Sequence, residues 1–142
     1  KEVYRSRKQF TPNEISASRN YATSILFLLN KGDVSHFHQI KSDEIWYYHT
    51  GASCLIHVID ANGGLISYRL GLNFQKGEVL QLVVPAGCIF ASESSGDYSL
   101  VGCMVSPGFD FRDFKLFTTE ELVLLFNQHE KIIKKFTKEK YD

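Results

Sequence analysis

Two histidines stand one residue apart at His36 and His38, and a carboxylate follows at Glu44, with Trp46 and Tyr48 at alternate positions beyond it. Imidazoles titrate near neutrality and ligate metals, and a nearby carboxylate can join them as a ligand or as an acid–base partner. In a strand, alternate side chains share a face. His36 and His38 therefore point one way, and Glu44, Trp46 and Tyr48 share one face of the strand that follows. If both faces turn inward, two imidazoles, a carboxylate, an indole and a phenol converge. His36, His38 and Glu44 would then form a two-histidine, one-carboxylate face with open positions, an arrangement that suits non-haem iron or a catalytic zinc. Without a metal, His36 or His38 could act as a base, Glu44 as an acid or base once desolvation raises its pKa, and Tyr48 as a proton donor. The plainer alternative for any His-x-His in a β protein is a pair of polar groups facing solvent or hydrogen-bonded in a core.

The elements that must position these residues read mostly as strands. Runs rich in β-branched and aromatic residues recur at 2–7, 21–29, 34–40, 44–49, 53–59, 65–70, 79–84, 88–93 and 100–106, each bounded by Gly, Asp, Asn or Pro. Asp60-Ala61-Asn62-Gly63-Gly64 predicts a hairpin turn, because Asn-Gly and Gly-Gly adopt positive φ at little cost. Ser94-Ser95-Gly96-Asp97 predicts another. Closely spaced antiparallel strands suggest an all-β sandwich or barrel. Thr118-Thr119-Glu120-Glu121 is a capping-box start, and Leu122, Leu125, Phe126, His129, Ile132, Ile133 and Phe136 then recur at helical spacing. The expected organisation is a single domain over 1–142, with a barrel over 1–117 and one C-terminal helix over 119–137.

Composition narrows the function. Of 142 residues, 44% are apolar and 23% charged, the balance of a soluble domain large enough to bury a core. Sixteen basic side chains cancel sixteen acidic ones, which gives no electrostatic footprint for nucleic acid. The longest apolar run, 25–29, is too short to span a membrane. No secretory signal is evident, and the absence of an initial Met suggests a chain trimmed upstream. Cys54, Cys88 and Cys103 are odd in number and widely spaced, so they read as free thiols in a reducing compartment, with cytoplasm as the expectation.

The order of these features resembles the cupin superfamily, whose fold is a double-stranded β-helix, or jelly-roll barrel. His36-Phe37-His38, Glu44 and Gly51 are similar to its first motif, and Gly77 with Pro85-Ala86-Gly87-Cys88-Ile89-Phe90 to its second. A closer likeness is to a family of small single-domain cupins without an assigned function, similar in fold to dTDP-sugar 3,5-epimerases. It is carried by Val3-Tyr4-Arg5-Ser6, Ser42-Asp43-Glu44-Ile45-Trp46, Val84-Pro85-Ala86-Gly87, Leu100-Val101-Gly102-Cys103 and Pro107-Gly108-Phe109-Asp110-Phe111-Arg112-Asp113-Phe114. Two departures stand out. One extra residue separates His38 from Glu44, and Phe90 occupies the position where metal-binding cupins place their last histidine.

The resemblance implies a barrel pocket for a small polar metabolite, lined by His36, Trp46, Gln81, Phe90 and Glu93, with His38, Glu44 and Tyr48 in catalytic roles. Arg19 is a candidate for holding an anionic group, with a rim salt bridge as its alternative. Phe109, Phe111 and Phe114 read as clamps on the barrel, and Asp110 and Asp113 as caps of backbone groups. Three functions follow: a metal-independent sugar or nucleotide-sugar isomerase or epimerase; a metal-dependent oxygenase or lyase using Zn, Fe, Ni or Mn on His36, His38 and Glu44; and a barrel that binds a ligand without chemistry. A homodimer paired through strands and the outer sheet face is expected, with no nucleic-acid or membrane partner.

Overall fold

Alternation of inward and outward side chains builds this protein, and the computed structural model describes residues 1–142. Strands β1 (Glu2–Arg5), β4 (Thr23–Asn30), β11 (Tyr98–Ser106), β6 (Asp43–Gly51) and β9 (Gln81–Val84) lie side by side in that order as one sheet. The second sheet runs β12 (Lys115–Leu116), β5 (Val34–Gln39), β10 (Ile89–Ser94), β7 (Cys54–Ile59) and β8 (Leu65–Leu70). A small ribbon of β2 (Gln9–Phe10) and β3 (Arg19–Asn20) completes the strands, and every pairing within these sheets is antiparallel. The two five-stranded sheets face each other as a jelly roll.

The inward faces meet in a core that includes Leu29, Trp46, Ile56, Val58, Leu70, Phe90 and Val101. A second core lies on the outside of the second sheet, where Phe37, Ile59, Ile89 and Ala91 pack against Phe117, Leu122, Ile133 and Phe136. Each fully buried side chain of this size is worth about 1.5–3 kcal/mol of transfer free energy, so the C-terminal segment is bound firmly. Backbone bonds reinforce it: Phe37 N–H donates to the Phe136 carbonyl at 2.9 Å, and Phe117 N–H to the Phe37 carbonyl at 3.2 Å.

The two predicted turns behave differently. Asp60–Gly64 closes the β7–β8 hairpin: Asp60 Oδ1 accepts from the backbone N–H groups of Asn62 and Gly64, and Gly63 takes φ +80°. Ser94–Asp97 instead links β10 in one sheet to β11 in the other. Turn chemistry sets a local reversal of the chain, but the neighbour a strand pairs with is decided by the whole topology.

The helix expected over 119–137 is interrupted. Helix α1 (Thr119–Leu125) starts with the predicted capping box at Thr118 and Glu121, and a 3₁₀ turn (Asn127–His129) separates it from α2 (Glu130–Lys135). Phe126 leaves the helical region at φ −141°, ψ 58°, and the resulting bend lets His129 Nε2 reach the Gly63 carbonyl at 2.7 Å. Neither helix is long and apolar enough to cross a membrane.

Arg19 is not a pocket residue. It is 4% exposed and forks onto Asp113, Nε to Oδ2 at 2.7 Å and Nη2 to Oδ1 at 2.8 Å, which ties the β2–β3 ribbon to the segment after β11. Asp113 is thereby spent on Arg19 rather than on capping a backbone group, whereas Asp110 does cap, accepting from Arg112 N–H at 2.9 Å. Removing one partner of a buried ion pair strands the other charge, so Asp113→Ala should cost about 3–5 kcal/mol. Urea denaturation should show that loss, and the double variant Arg19→Met/Asp113→Leu should recover most of it.

Candidate functional site

A cavity of about 460 Å³ opens between the sheets. Strand β5 contributes His36 and His38, β6 contributes Glu44 and Trp46, and β11 contributes Cys103 and Val105. Ile25 and Phe27 of β4, Val34 of β5, Ile40, and Phe109, Phe114 and Leu116 after β11 supply the rest of the apolar wall, and Glu2, Thr23 and Ser35 add polar groups. The histidines therefore come from one sheet and the carboxyl group from the other. The chain makes this crossing in the short corner 40–42, where Ile40 and Ser42 are buried and fix the turn.

His38 is held in one tautomer. Its Nδ1 lies 2.8 Å from the His36 carbonyl oxygen. A carbonyl can only accept, so Nδ1 carries the proton and Nε2 keeps its lone pair. Burial lowers the pKa of His38 against the opposing pull of that backbone bond, which favours the neutral ring. Phe90 and Phe114 flank it, with ring centroids 4.2 and 5.2 Å away. His36 is nearer the surface, edge-on to Tyr141 at 5.6 Å, and its pKa is lowered by burial and by the Lys138 charge.

Glu44 is 8% exposed. Desolvation pushes its pKa up to about 7, partly offset by the neighbouring Cys103 thiol. Cys103 is itself held as the thiol, because burial and the neighbouring carboxylate both disfavour its thiolate. The cavity thus pairs a neutral imidazole, basic at Nε2, with a carboxyl group poised to hold or release a proton near neutrality.

Other expected pocket residues lie elsewhere. Tyr48 shares the inward parity of Glu44 and Trp46 but packs in the core, and its Oη donates to the Gly51 carbonyl at 2.7 Å. It does not line the cavity, so the geometry gives it no proton to deliver there. Gln81 is exposed on the outer face of β9, because Leu82 and Val84 are the residues of that strand that turn inward. Glu93 faces out of the second sheet, bonded by Lys135 Nζ at 2.8 and 2.9 Å. Phe90 is buried behind His38 and does not itself line the cavity.

Conversely, Phe109 and Phe114, read from sequence as clamps, form part of the cavity wall. Cys103, read from sequence only as a free thiol, and Val105, given no role there, also line the cavity, because the alternation that places Glu44 inward applies to their strand too.

A metal does not fit this donor set. His36, His38 and Glu44 do not come together as a group able to hold an ion, and no other group of three His, Cys, Asp or Glu side chains does so. At the position where a further imidazole would be needed, Phe90 presents a ring without a lone pair.

A jelly roll with a cavity between its sheets, lined by a His-x-His strand, is the architecture of the cupin class. The chain belongs to the family described as "Cupin superfamily (DUF985)", whose model matches residues 1–117. It is similar to the uncharacterised protein YML079W of Saccharomyces cerevisiae, at 30% identity over 115 residues. That match covers 77% of this chain but only 57% of the yeast protein's length. Among solved structures it resembles a hypothetical protein from Leishmania major, at 37% identity and TM-score 0.91, over 97% of this chain and 88% of that one. It also resembles protein SO0799 from Shewanella oneidensis, at 45% identity and TM-score 0.90, over 99% of this chain and 86% of that one.

The raised pKa of Glu44 makes a stability prediction that needs no substrate. The folded state holds this proton more tightly than the unfolded chain does, so the contribution is full below pH 4.5 and is lost as pH rises through about 7. Glu44→Gln, which cannot ionise, should therefore be more stable than the parent by up to about 3 kcal/mol at pH 8.5. Thermal or urea unfolding across pH should show that gap closing toward pH 4.5.

Proposed function

We propose that this protein is a proton-transfer enzyme whose cavity binds a small, largely apolar carbonyl compound, with His38 as base and Glu44 as acid. The observation that carries the proposal is the presence, on facing sheets of one cavity, of an imidazole with its lone pair on Nε2 and a carboxyl group titrating at about 7. Each group is then available in the protonation state its role requires. His38 Nε2 takes a proton from the carbon beside the carbonyl, the C–H electron pair forms the enol double bond, and Glu44 delivers its proton to the carbonyl oxygen. Return of a proton to carbon completes an isomerisation or epimerisation. General acid–base assistance of this kind is worth about 10²–10⁴-fold.

The wall argues for the substrate's character. Ile25, Phe27, Val105, Phe109 and Phe114 make much of the wall apolar, with Glu2, Thr23, Ser35 and His36 as its polar groups beside His38 and Glu44. A compact apolar carbonyl compound suits such a surface better than the sugars or nucleotide sugars that the epimerase likeness suggests. The metal-dependent alternative draws no support from the dispersed donor set.

Deuterium incorporation into cyclohexanone and phenylacetone in D₂O, followed by proton NMR, tests the assignment. Exchange should exceed that in buffer and fall at least ~10²-fold in His38→Gln and in Glu44→Gln. Wild-type rates in both variants would remove these residues from the chemistry, and saturable binding without exchange would leave a ligand-binding barrel.

We also propose that the protein works as a homodimer in the cytoplasm, where its three free cysteines stay reduced. The outer face of the first sheet supports the pairing: Leu26 and Leu28 of β4, Leu100 and Met104 of β11, Ile45 and Tyr47 of β6, and Val83 of β9 form a face in which Leu28 and Val83 are 52% and 50% exposed. None of these side chains is charged, as expected of a surface that is covered in solution. Light scattering should give a dimer mass at micromolar concentration, and Leu28→Glu/Val83→Glu should give a monomer.

A further inference from the structure

A second recess, about 460 Å³, lies on the other side of the second sheet from the barrel cavity, between the outer faces of β7, β8 and β10 and the C-terminal helical segment. Leu65, Ile132 and Phe136 give it an apolar lining; His57, Lys131 and Lys135 give it polar groups.

Two observations single it out. The first is His57, which is 8% exposed and whose Nε2 has no hydrogen-bond partner. Its Nδ1 is bonded to Ser67 Oγ at 2.7 Å, while Glu93 Oε1 stands 3.6 Å from Nε2, too far for a hydrogen bond. A carboxylate on that side favours the tautomer with the proton on Nε2, with the Ser67 hydroxyl donating to Nδ1. This buried donor has only a long contact to Glu93 and no hydrogen bond, so an acceptor in the recess would complete what the fold leaves partly satisfied.

The second is charge. Of the three lysines in α2, Lys134 is paired with Glu130 at 2.6 Å and Lys135 with Glu93 at 2.8 Å. Lys131 has no carboxylate within reach. Glu93, the one carboxylate lining the recess, is already balanced by Lys135, so the recess carries one uncompensated positive charge beside one unused buried N–H.

We propose that this recess is a second ligand site, independent of the barrel cavity, for a small organic carboxylate. Its apolar body rests on Leu65, Ile132 and Phe136, and its carboxylate lies between His57 Nε2 and Lys131 Nζ. This chemistry differs from that of the barrel, where a carboxyl group of the protein faces the ligand.

The test is an amide chemical-shift titration of the full chain with hexanoate at pH 7. Hexylammonium serves as a control with the same body and opposite charge, and inorganic phosphate as an anion without an apolar body. Hexanoate should produce saturable shifts at Ile132 and Phe136, with much weaker responses to either control. Lys131→Glu, at an exposed position that leaves the fold intact, should weaken hexanoate about tenfold or more through like-charge repulsion. His57→Gln should weaken it by about tenfold through loss of a charge-assisted bond. Absence of saturable shifts, equal affinity for hexylammonium, or unchanged affinity in Lys131→Glu would overturn the assignment.

Discussion

Glu44 is a carboxyl group placed where it can hold a charge only at a cost. It is 8% exposed, its polar neighbour is a thiol, and much of the surrounding wall is hydrocarbon. A buried carboxylate without a cation must lose its proton against desolvation, and this moves its titration from the acid range to about 7. The same chain shows the alternative at Asp113, equally buried but gripped bidentately by Arg19. An arginine beside Glu44 would hold it ionised and make the cavity an ion-pair site. Its absence keeps the group available as an acid.

The other half of the pair depends on a single backbone carbonyl. By accepting from His38 Nδ1, the His36 carbonyl decides which nitrogen carries the lone pair. Phe90 then acts by shape rather than ligation: it packs against the His38 ring and edge-on to Trp46 at 6.3 Å, filling the space behind both. The departure from the metal-binding pattern is therefore structural compensation as well as loss. A ring that cannot ligate fixes the imidazole by packing on it, and the donor set does not need to gather around an ion.

Much of the fold was legible because the two-residue period is strict. Shifting a strand by one residue exchanges its faces, so residues such as His38 and Phe37 can each satisfy only one side. Phe37 is fully buried against the C-terminal helices while His36 and His38 turn to the cavity. Hairpin and capping signals were equally local, at Asp60–Gly64 and Thr118–Glu121. What sequence did not disclose depends on distance through space. Tyr48 has the right parity but lies beyond the end of the cavity. Gln81 and Glu93 needed strand registers that no turn signal fixes. Phe109 and Phe114 reach the cavity from either side of a short 3₁₀ turn, Phe111–Asp113, that follows β11. Arg19 found Asp113 across 94 residues of chain. Alternation tells which face a side chain is on, but it does not tell what stands opposite.

The C-terminal segment joins these levels. Strand β5 carries both histidines, and its central residue, Phe37, donates its backbone N–H to Phe136 and packs its ring edge-on to Phe136 at 5.9 Å. Phe136 also lies 4.9 Å from the His57 ring, on the opposite side of the sheet from the cavity. The outer core is thus the support on which the histidine strand rests. A helix bound only weakly there would leave β5 less constrained, and with it the positions of His36 and His38. Burial of Leu122, Ile133 and Phe136 against Phe37, Ile59, Ile89 and Ala91 therefore stiffens the second sheet behind the histidine strand, a support that comes from outside the cavity. A hydrophobic core outside the sheets thus backs the strand that lines the cavity between them.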